Sequence, residues 1–227
     1  MTQNIKVAVD AIVFGYSKDN GVSILLIKRK YPPFKGSWAI PGGFVLDDES
    51  LESAVKRELE EETGIIIKFL EQLYTFGEPN RDPRKRVISI AYFVLVKSNS
   101  FKQLSASTDA EEAAWFNIKN LPPLAFDHKT ILNTAIERLR NKIRYQPIGF
   151  ELLDKKFPFS DLEQLYATLL DRAIDRRNFK RKFMSLNILD ELEEKAKNDG
   201  AGRPGNLYSF NQKNYEELIK KGMHFEV

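Results

Sequence analysis

The sequence predicts a mixed α/β domain followed by a smaller domain of helices and a hairpin. Three observations lead there. In the first 144 residues, strand-like segments surround one acidic helix and end in a second, amphipathic one. The stretch Tyr145-Gln146-Pro147-Ile148-Gly149 then interrupts the pattern, because proline and glycine stop a helix. Beyond it come a helix, a basic helix and a hairpin. The expected division is therefore 1–144 and 145–227, with the interrupting stretch as a hinge. At 227 residues, 42% hydrophobic and 30% charged, the chain can bury two cores.

Val7 to Tyr16 and Ser23 to Lys28 are rich in β-branched and aromatic residues, and Lys18-Asp19-Asn20-Gly21 between them predicts a hairpin. Tyr31 to Ser37 reads as a loop that delivers Trp38-Ala39-Ile40-Pro41 to the pair Gly42-Gly43. Ser50 and Gly64 bracket a helix with Leu51, Val55 and Leu59 at helical spacing. Strands are expected near Ile66 to Phe69, at Leu73 to Phe76 and, after the polar loop Gly77 to Arg86, at Val87 to Val96. The polar segment Ser98 to Ala110 leads to Glu111-Glu112-Ala113-Ala114-Trp115-Phe116. Asp127 is placed to cap a helix over Lys129 to Arg144, whose Ile131, Leu132, Ala135, Ile136 and Leu139 share one face. The expected architecture is a mixed sheet sandwiched by helices.

The first helix holds five glutamates. At about 100° per residue, Glu58 and Glu62 fall on the arc of Leu51 and Val55, with Glu61 roughly 60° to one side. A solvated acidic face would lie opposite the apolar stripe, so acids above it need a counter-charge. Carboxylate oxygens at this spacing suit Mg²⁺ or Mn²⁺, and such an ion can grip a phosphate. Arg57 is placed to orient its acidic neighbours, and Gly42 and Gly43 let the backbone approach a ligand.

The segment resembles the Nudix box, G-x5-E-x7-R-E-U-x-E-E-x-G-U with U aliphatic. It matches at Gly43, Glu49, Arg57, Glu58, Leu59, Glu61, Glu62, Gly64 and Ile65, which are all nine fixed positions. The resemblance implies an α/β/α Nudix sandwich and metal-dependent hydrolysis of a nucleoside diphosphate linked to another group. On that reading Glu58, Glu61 and Glu62 are the metal set, and Glu58, Glu61 and Arg57 carry catalysis. Gly42, Gly43, Arg81 and Glu112 line the ligand site, with Glu111 an equal candidate to Glu112 for a supporting acid.

In the second domain Ser160-Asp161-Leu162-Glu163 reads as a capping box for a helix over Leu162 to Leu170, and Asp175 as the cap of Arg176 to Ser185. Phe179 and Phe183 face inward there. Arg176, Arg177, Asn178, Lys180, Arg181 and Lys182 populate the other side. Ile188 to Leu192, the glycine-rich tip Asn198 to Gly205 with Arg203, and Leu207 to Phe210 complete a hairpin. The pattern resembles a winged helix-turn-helix, in which the basic helix enters the DNA major groove and Arg203 in the wing approaches the backbone.

A Nudix domain joined to a winged helix, with Arg81-Asp82-Pro83, Ala125-Phe126-Asp127-His128 and Gly202-Arg203-Pro204, resembles the Nudix-related transcriptional regulators of the NrtR and AraR types. That resemblance implies a homodimer that binds an ADP-ribose-like effector and a double-stranded operator. Two other readings stand beside it: an ADP-ribose pyrophosphatase whose second domain only dimerises, and a sugar sensor with a silent pocket. The chain has no cysteine, so disulfide and thiolate chemistry are excluded. Its most apolar run is about half the roughly 20 residues of a membrane span. The start lacks a secretory pattern, so the expected location is the cytoplasm. A net charge of +3 is too mild to prove a nucleic-acid partner.

Overall fold

Lys6–Ser17 (β1) is the strand that positions the site. It runs parallel to Val87–Val96 (β6), from Lys6 opposite Val87 to Gly15 opposite Val96. It also pairs antiparallel with Gly42–Phe44 (β4), which sets Asp10 opposite Gly42. Gly21–Arg29 (β2), Trp38–Ala39 (β3), Glu71–Phe76 (β5) and Ala110–Asn117 (β7) complete a seven-stranded sheet. Its main order is β3-β2-β1-β6-β5, with β4 on β1 and β7 on β2. The computed structural model describes residues 4–17, 20–67, 70–96, 104, 110–196, 205–222 and 225. The chain divides into two units, Met1–Gly15 with Val22–Arg138 and Tyr16–Gly21 with Leu139–Val227.

Successive strand side chains point to opposite faces. Val9, Ala11 and Val13 of β1 therefore share a face, where they join Ile90, Tyr92 and Val94 of β6 and Ala54, Val55 and Leu59 of the helix Leu51–Thr63 (α1). Ser50 caps α1 by accepting the Ser53 N–H, and Gly64 ends it in the left-handed region with φ 72°. Glycine, with no Cβ, adopts that conformation at the least steric cost. The opposite face carries Asp10, Ile12 and Phe14. Helix His128–Tyr145 (α2) reaches this face, since the His128 ring lies beside Asp10.

The second unit contains a short 3-10 turn at Phe150–Leu152, Phe157–Pro158 (β8), Phe159–Leu170 (α3), Arg176–Ser185 (α4), Leu189–Lys195 (β9), Asn206–Phe210 (β10) and Gln212–Lys220 (α5). β10 lies between β8 and β9 in a three-stranded sheet. Phe179 and Phe183 of α4 are buried, and Phe183 packs edge-on against Phe150, Phe159, Tyr166 and Phe225. Burying each such ring contributes about 1.5–3 kcal/mol, which fixes the polar side of α4 outward. The wing strands and the helix pair make a winged helix, as expected.

Several elements differ from the sequence reading. No strand forms over Ile66 and Ile67, because the chain leaves Gly64 with Ile65 and Ile67 buried and Ile66 exposed but no partner strand alongside. Residues 68 and 69 lie outside the described residues. The expected capping box at Ser160 is not used: α3 starts earlier, at Phe159, with Pro158 at the cap position and no side-chain cap bond. Burial of Phe159 extends the helix toward β8. Residues 111–116 form strand β7, and α5 was not anticipated. Arg203 and most of the wing tip lie outside the described residues, as does most of the segment from Ser98 to Ala110.

Candidate active site and nucleic-acid face

Arg57 lies at the centre of the acidic cluster. Its Nε and Nη2 donate to the two oxygens of Glu49 at 3.0 and 2.6 Å, its Nη1 to Glu58 Oε1 at 2.8 Å, and Nη2 also to the Phe44 carbonyl at 3.2 Å. A planar guanidinium can do this because its donors form a rigid fork. These hydrogen bonds hold the Glu49 carboxyl below its usual range and push Arg57 further up. Glu49 also accepts the Leu46 N–H at 2.8 Å, so one arginine ties the loop before α1 to the helix itself.

Glu62 is the buried acid of the set, at 5% exposure, and its Oε2 accepts the Gly42 N–H at 2.8 Å. This is the sequence expectation for an acid over the apolar stripe. Glu58 is partly buried, whereas the Glu61 side chain is 49% exposed, 3.4 Å from Arg57. A cleft of about 360 Å³ is lined by Gly42, Gly43, Glu58, Glu62, Arg81 and residues from β1, β2 and the loop before α2. That volume is within the range of small-molecule sites. Among the described residues no three acidic side chains converge into a ready ion cage. The donor chemistry of Glu58 and Glu62 in the cleft, with Glu61 one turn-face away, nevertheless fits a hard divalent ion.

The two glycines serve different purposes. A Cβ on Gly42 would fall 2.1 Å from the Val9 carbonyl oxygen, whereas one on Gly43 would fall 2.2 Å from Glu58 Oε1. Gly42→Ala therefore forces backbone apart and is expected to cost about 1–3 kcal/mol. Gly43→Ala meets only the far end of a flexible side chain. Its melting temperature should stay near that of the parent, because the carboxylate can move aside. Thermal unfolding of both variants checks the contrast.

The back of the cleft is a polar network the sequence reading did not find. The Arg81 side chain, 5% exposed, forms a bidentate pair with Asp127 at 2.8 and 2.9 Å and reaches Asp10 Oδ2 at 3.5 Å. Asp10 accepts the Ser89 hydroxyl. Asp127 stands at the start of α2 as expected and its carbonyl accepts the Thr130 N–H, but its carboxylate is turned to Arg81. His128 Nδ1 accepts the Ile40 N–H at 2.9 Å, which leaves the proton of the neutral ring on Nε2, 3.7 Å from Asp10. Burial pushes the His128 pKa down, against the opposing pull of Asp10 and Asp127. Only tertiary folding brings these residues together. The sequence singled out Arg81 and the segment Ala125-Phe126-Asp127-His128 but not their pairing, and the signal it left unread was Asp10, an acid among apolar residues of β1.

Glu112 lies on β7, opposite Lys28 of β2 and 3.8 Å from its ammonium, and is not among the residues lining the cleft. Glu111 is an exposed neighbour on the same strand. Trp38 packs on Phe116.

On α4 the Asp175 carboxylate caps the helix by accepting the Asn178 N–H at 2.8 Å. Arg176, Arg177, Asn178, Lys180 and Arg181 are exposed and Lys182 is half-buried. Arg176 pairs with Glu163 at 3.3 Å, Arg181 bonds Asn178, and the Lys180 ammonium sits over Phe159 and Tyr208. A larger cavity, about 730 Å³, lies beside the turn between α3 and α4, far in sequence from the acids. Strand β9 exposes Asp190, Glu191, Glu193 and Glu194. Such a strip would repel a polyanion, whereas the exposed cations of α4 would attract one. No helix among the described residues is long and apolar enough to cross a membrane.

Comparison with known proteins gives two domain matches: a NUDIX domain over residues 5–135 and an NrtR DNA-binding winged helix domain over residues 149–210. The ADPR responsive transcriptional repressor NtrR of Acinetobacter baylyi is 33% identical over 213 residues, covering 92% of this chain and 83% of that protein. An ADP-ribose pyrophosphatase of Methanocaldococcus jannaschii is 51% identical over 126 residues, 56% of this chain and 70% of the enzyme. The crystal structure of Shewanella oneidensis NrtR complexed with a 27mer DNA matches with a TM-score of 0.81 and 31% identity, covering 92% of this chain and 95% of that one.

Proposed function

Because the chain belongs to the Nudix family and carries the winged helix of its NrtR-type regulators, we propose that it is an ADP-ribose-responsive transcriptional repressor. Residues 1–144 bind ADP-ribose or a related nucleoside diphosphate derivative, and residues 145–227 bind an operator. The observation that carries this reading is the joining, in one chain, of a complete acidic cluster over a cleft and an exposed basic helix capped by Asp175. The regulator acts as a homodimer in the cytoplasm, presenting two α4 helices to half-sites about one helical turn apart.

In the cleft, Glu58 and Glu62 would hold a divalent ion, with Glu61 beside them as the third acid. Bound Mg²⁺ or Mn²⁺ would neutralise the diphosphate and activate water for attack on phosphorus. Arg57 orients Glu58 and, through Glu49 and the Phe44 carbonyl, fixes the loop that closes the site. The Gly42 N–H holds Glu62 in place. Arg81 acts on the ligand from behind, by positioning Asp127 and Asp10. On α4, Arg176, Arg177 and Arg181 meet phosphates and base edges, with Asn178, Lys180 and Lys182 in support and Arg203 in the wing.

A second reading, an ADP-ribose pyrophosphatase, is favoured by the undegraded acid set and the similarity to the archaeal enzyme. A gel-shift series with the chain's own upstream DNA separates the two. A salt-sensitive complex that ADP-ribose dissociates is the expected result. Hydrolysis without any specific complex would leave the pyrophosphatase, and stabilisation by a free pentose alone would leave a sugar sensor.

A further inference from the structure

The cleft has a second kind of chemistry, at Arg84. Its Nε and Nη2 donate to the two oxygens of Asp82 at 3.0 and 2.7 Å, and its backbone N–H donates to the same carboxylate at 2.9 Å. Burial pulls the Asp82 carboxyl upward, but these hydrogen bonds outweigh it and keep the group ionised. Asp82 is 8% exposed while the Arg84 side chain is 41% exposed. A buried carboxylate thus clamps a half-open guanidinium.

The clamped group lies near two aromatic side chains that line the same cleft as Glu58 and Glu62, 5.7 Å from the Phe44 ring centre and 5.9 Å from that of Phe126. Phe126 holds its place with φ 52°, packed edge-on against Phe34. Phe44 is anchored by its carbonyl to Arg57, the residue that orders the acids. The charge of Arg84 is already compensated by Asp82, and two of its donors are spent. What it offers a ligand is chiefly a flat, polarisable face, which suits a planar base better than a phosphate. Arg81, which lines the same cleft, is buried and has its donors turned to Asp127 and Asp10.

We propose that Arg84, clamped by Asp82 beside Phe44 and Phe126, is the stacking platform for the purine base of the bound nucleotide and a specificity-determining residue of the cleft. This rests on the nucleotide-binding reading above. The test measures the affinity of the full chain for ADP-ribose and for ribose 5-phosphate, which lacks the base, together with the quenching of an etheno-adenine analogue of ADP-ribose on binding. Arg84→Lys keeps the charge and loses the plane. It should weaken ADP-ribose about ten- to a hundredfold, relieve the quenching and leave ribose 5-phosphate unchanged. Phe44→Leu should act in the same direction and serves if the Arg84 variant unfolds. Equal losses for both ligands would make Arg84 a phosphate contact and overturn the proposal, as would unaltered quenching. If the parent protein binds ADP-ribose and only these shifts fail, the platform alone is wrong; if the parent binds neither ligand, the nucleotide reading falls with it.

Discussion

Glu62→Gln is expected to lower Mg²⁺-dependent hydrolysis of ADP-ribose by about a hundredfold or more, while the melting temperature stays at or above that of the parent. The amide oxygen of the glutamine can still accept the Gly42 N–H, so the local fold survives. What disappears is the negative charge at a site 5% exposed, where little water is available to replace it. An ion held there loses a ligand and the diphosphate loses its counter-charge. The assay is release of AMP and ribose 5-phosphate, paired with ADP-ribose affinity with and without Mg²⁺. Full turnover and unaltered Mg²⁺-linked affinity in the variant would sink the assignment of the acids. The same substitution at Glu60, which is exposed and points away, should change neither quantity.

The second large effect is expected on DNA. Arg177→Ala combined with Arg181→Ala should weaken operator binding by about a hundredfold near physiological salt and reduce the slope of log affinity against log salt by about 2. Both side chains are exposed on α4, whose opposite side is fixed in the core by Phe179 and Phe183. Truncating them therefore changes charge without disturbing packing. Affinity for ADP-ribose should not change, since these residues belong to the second unit. A slope equal to that of the parent would show that α4 is not the surface that meets phosphate.

Much of the candidate site was legible from local rules. Ser50, Gly64 and the spacing of Leu51, Val55 and Leu59 marked α1 correctly, because caps and apolar periodicity act within a few residues. The position of Glu62 on the apolar arc anticipated its burial for the same reason. Reading failed where a distant partner set the outcome. Ser160 loses its cap role because burial of Phe159 starts α3 earlier. Residues 111–116 are a strand because β2 has a free edge to pair with, and nothing in Glu111-Glu112-Ala113-Ala114 announces that. Glu112 consequently pairs with Lys28 of β2, and the Arg81 guanidinium in the cleft is tied to Asp127, a pairing that local spacing does not announce.

The sequence by itself determined the acidic helix, its caps, the basic helix and the family to which they point, since each is encoded by short-range spacing and backbone preference. Tertiary structure alone decided which of the cleft arginines is buried and which is half exposed, and it assembled Asp10, Ser89, Arg81, Asp127 and His128 from four separate segments. The physical reason is that burial and hydrogen-bond geometry are properties of neighbours in space. Residues 71 or 79 positions apart become neighbours only when β1 and β6 pair and α2 closes over them.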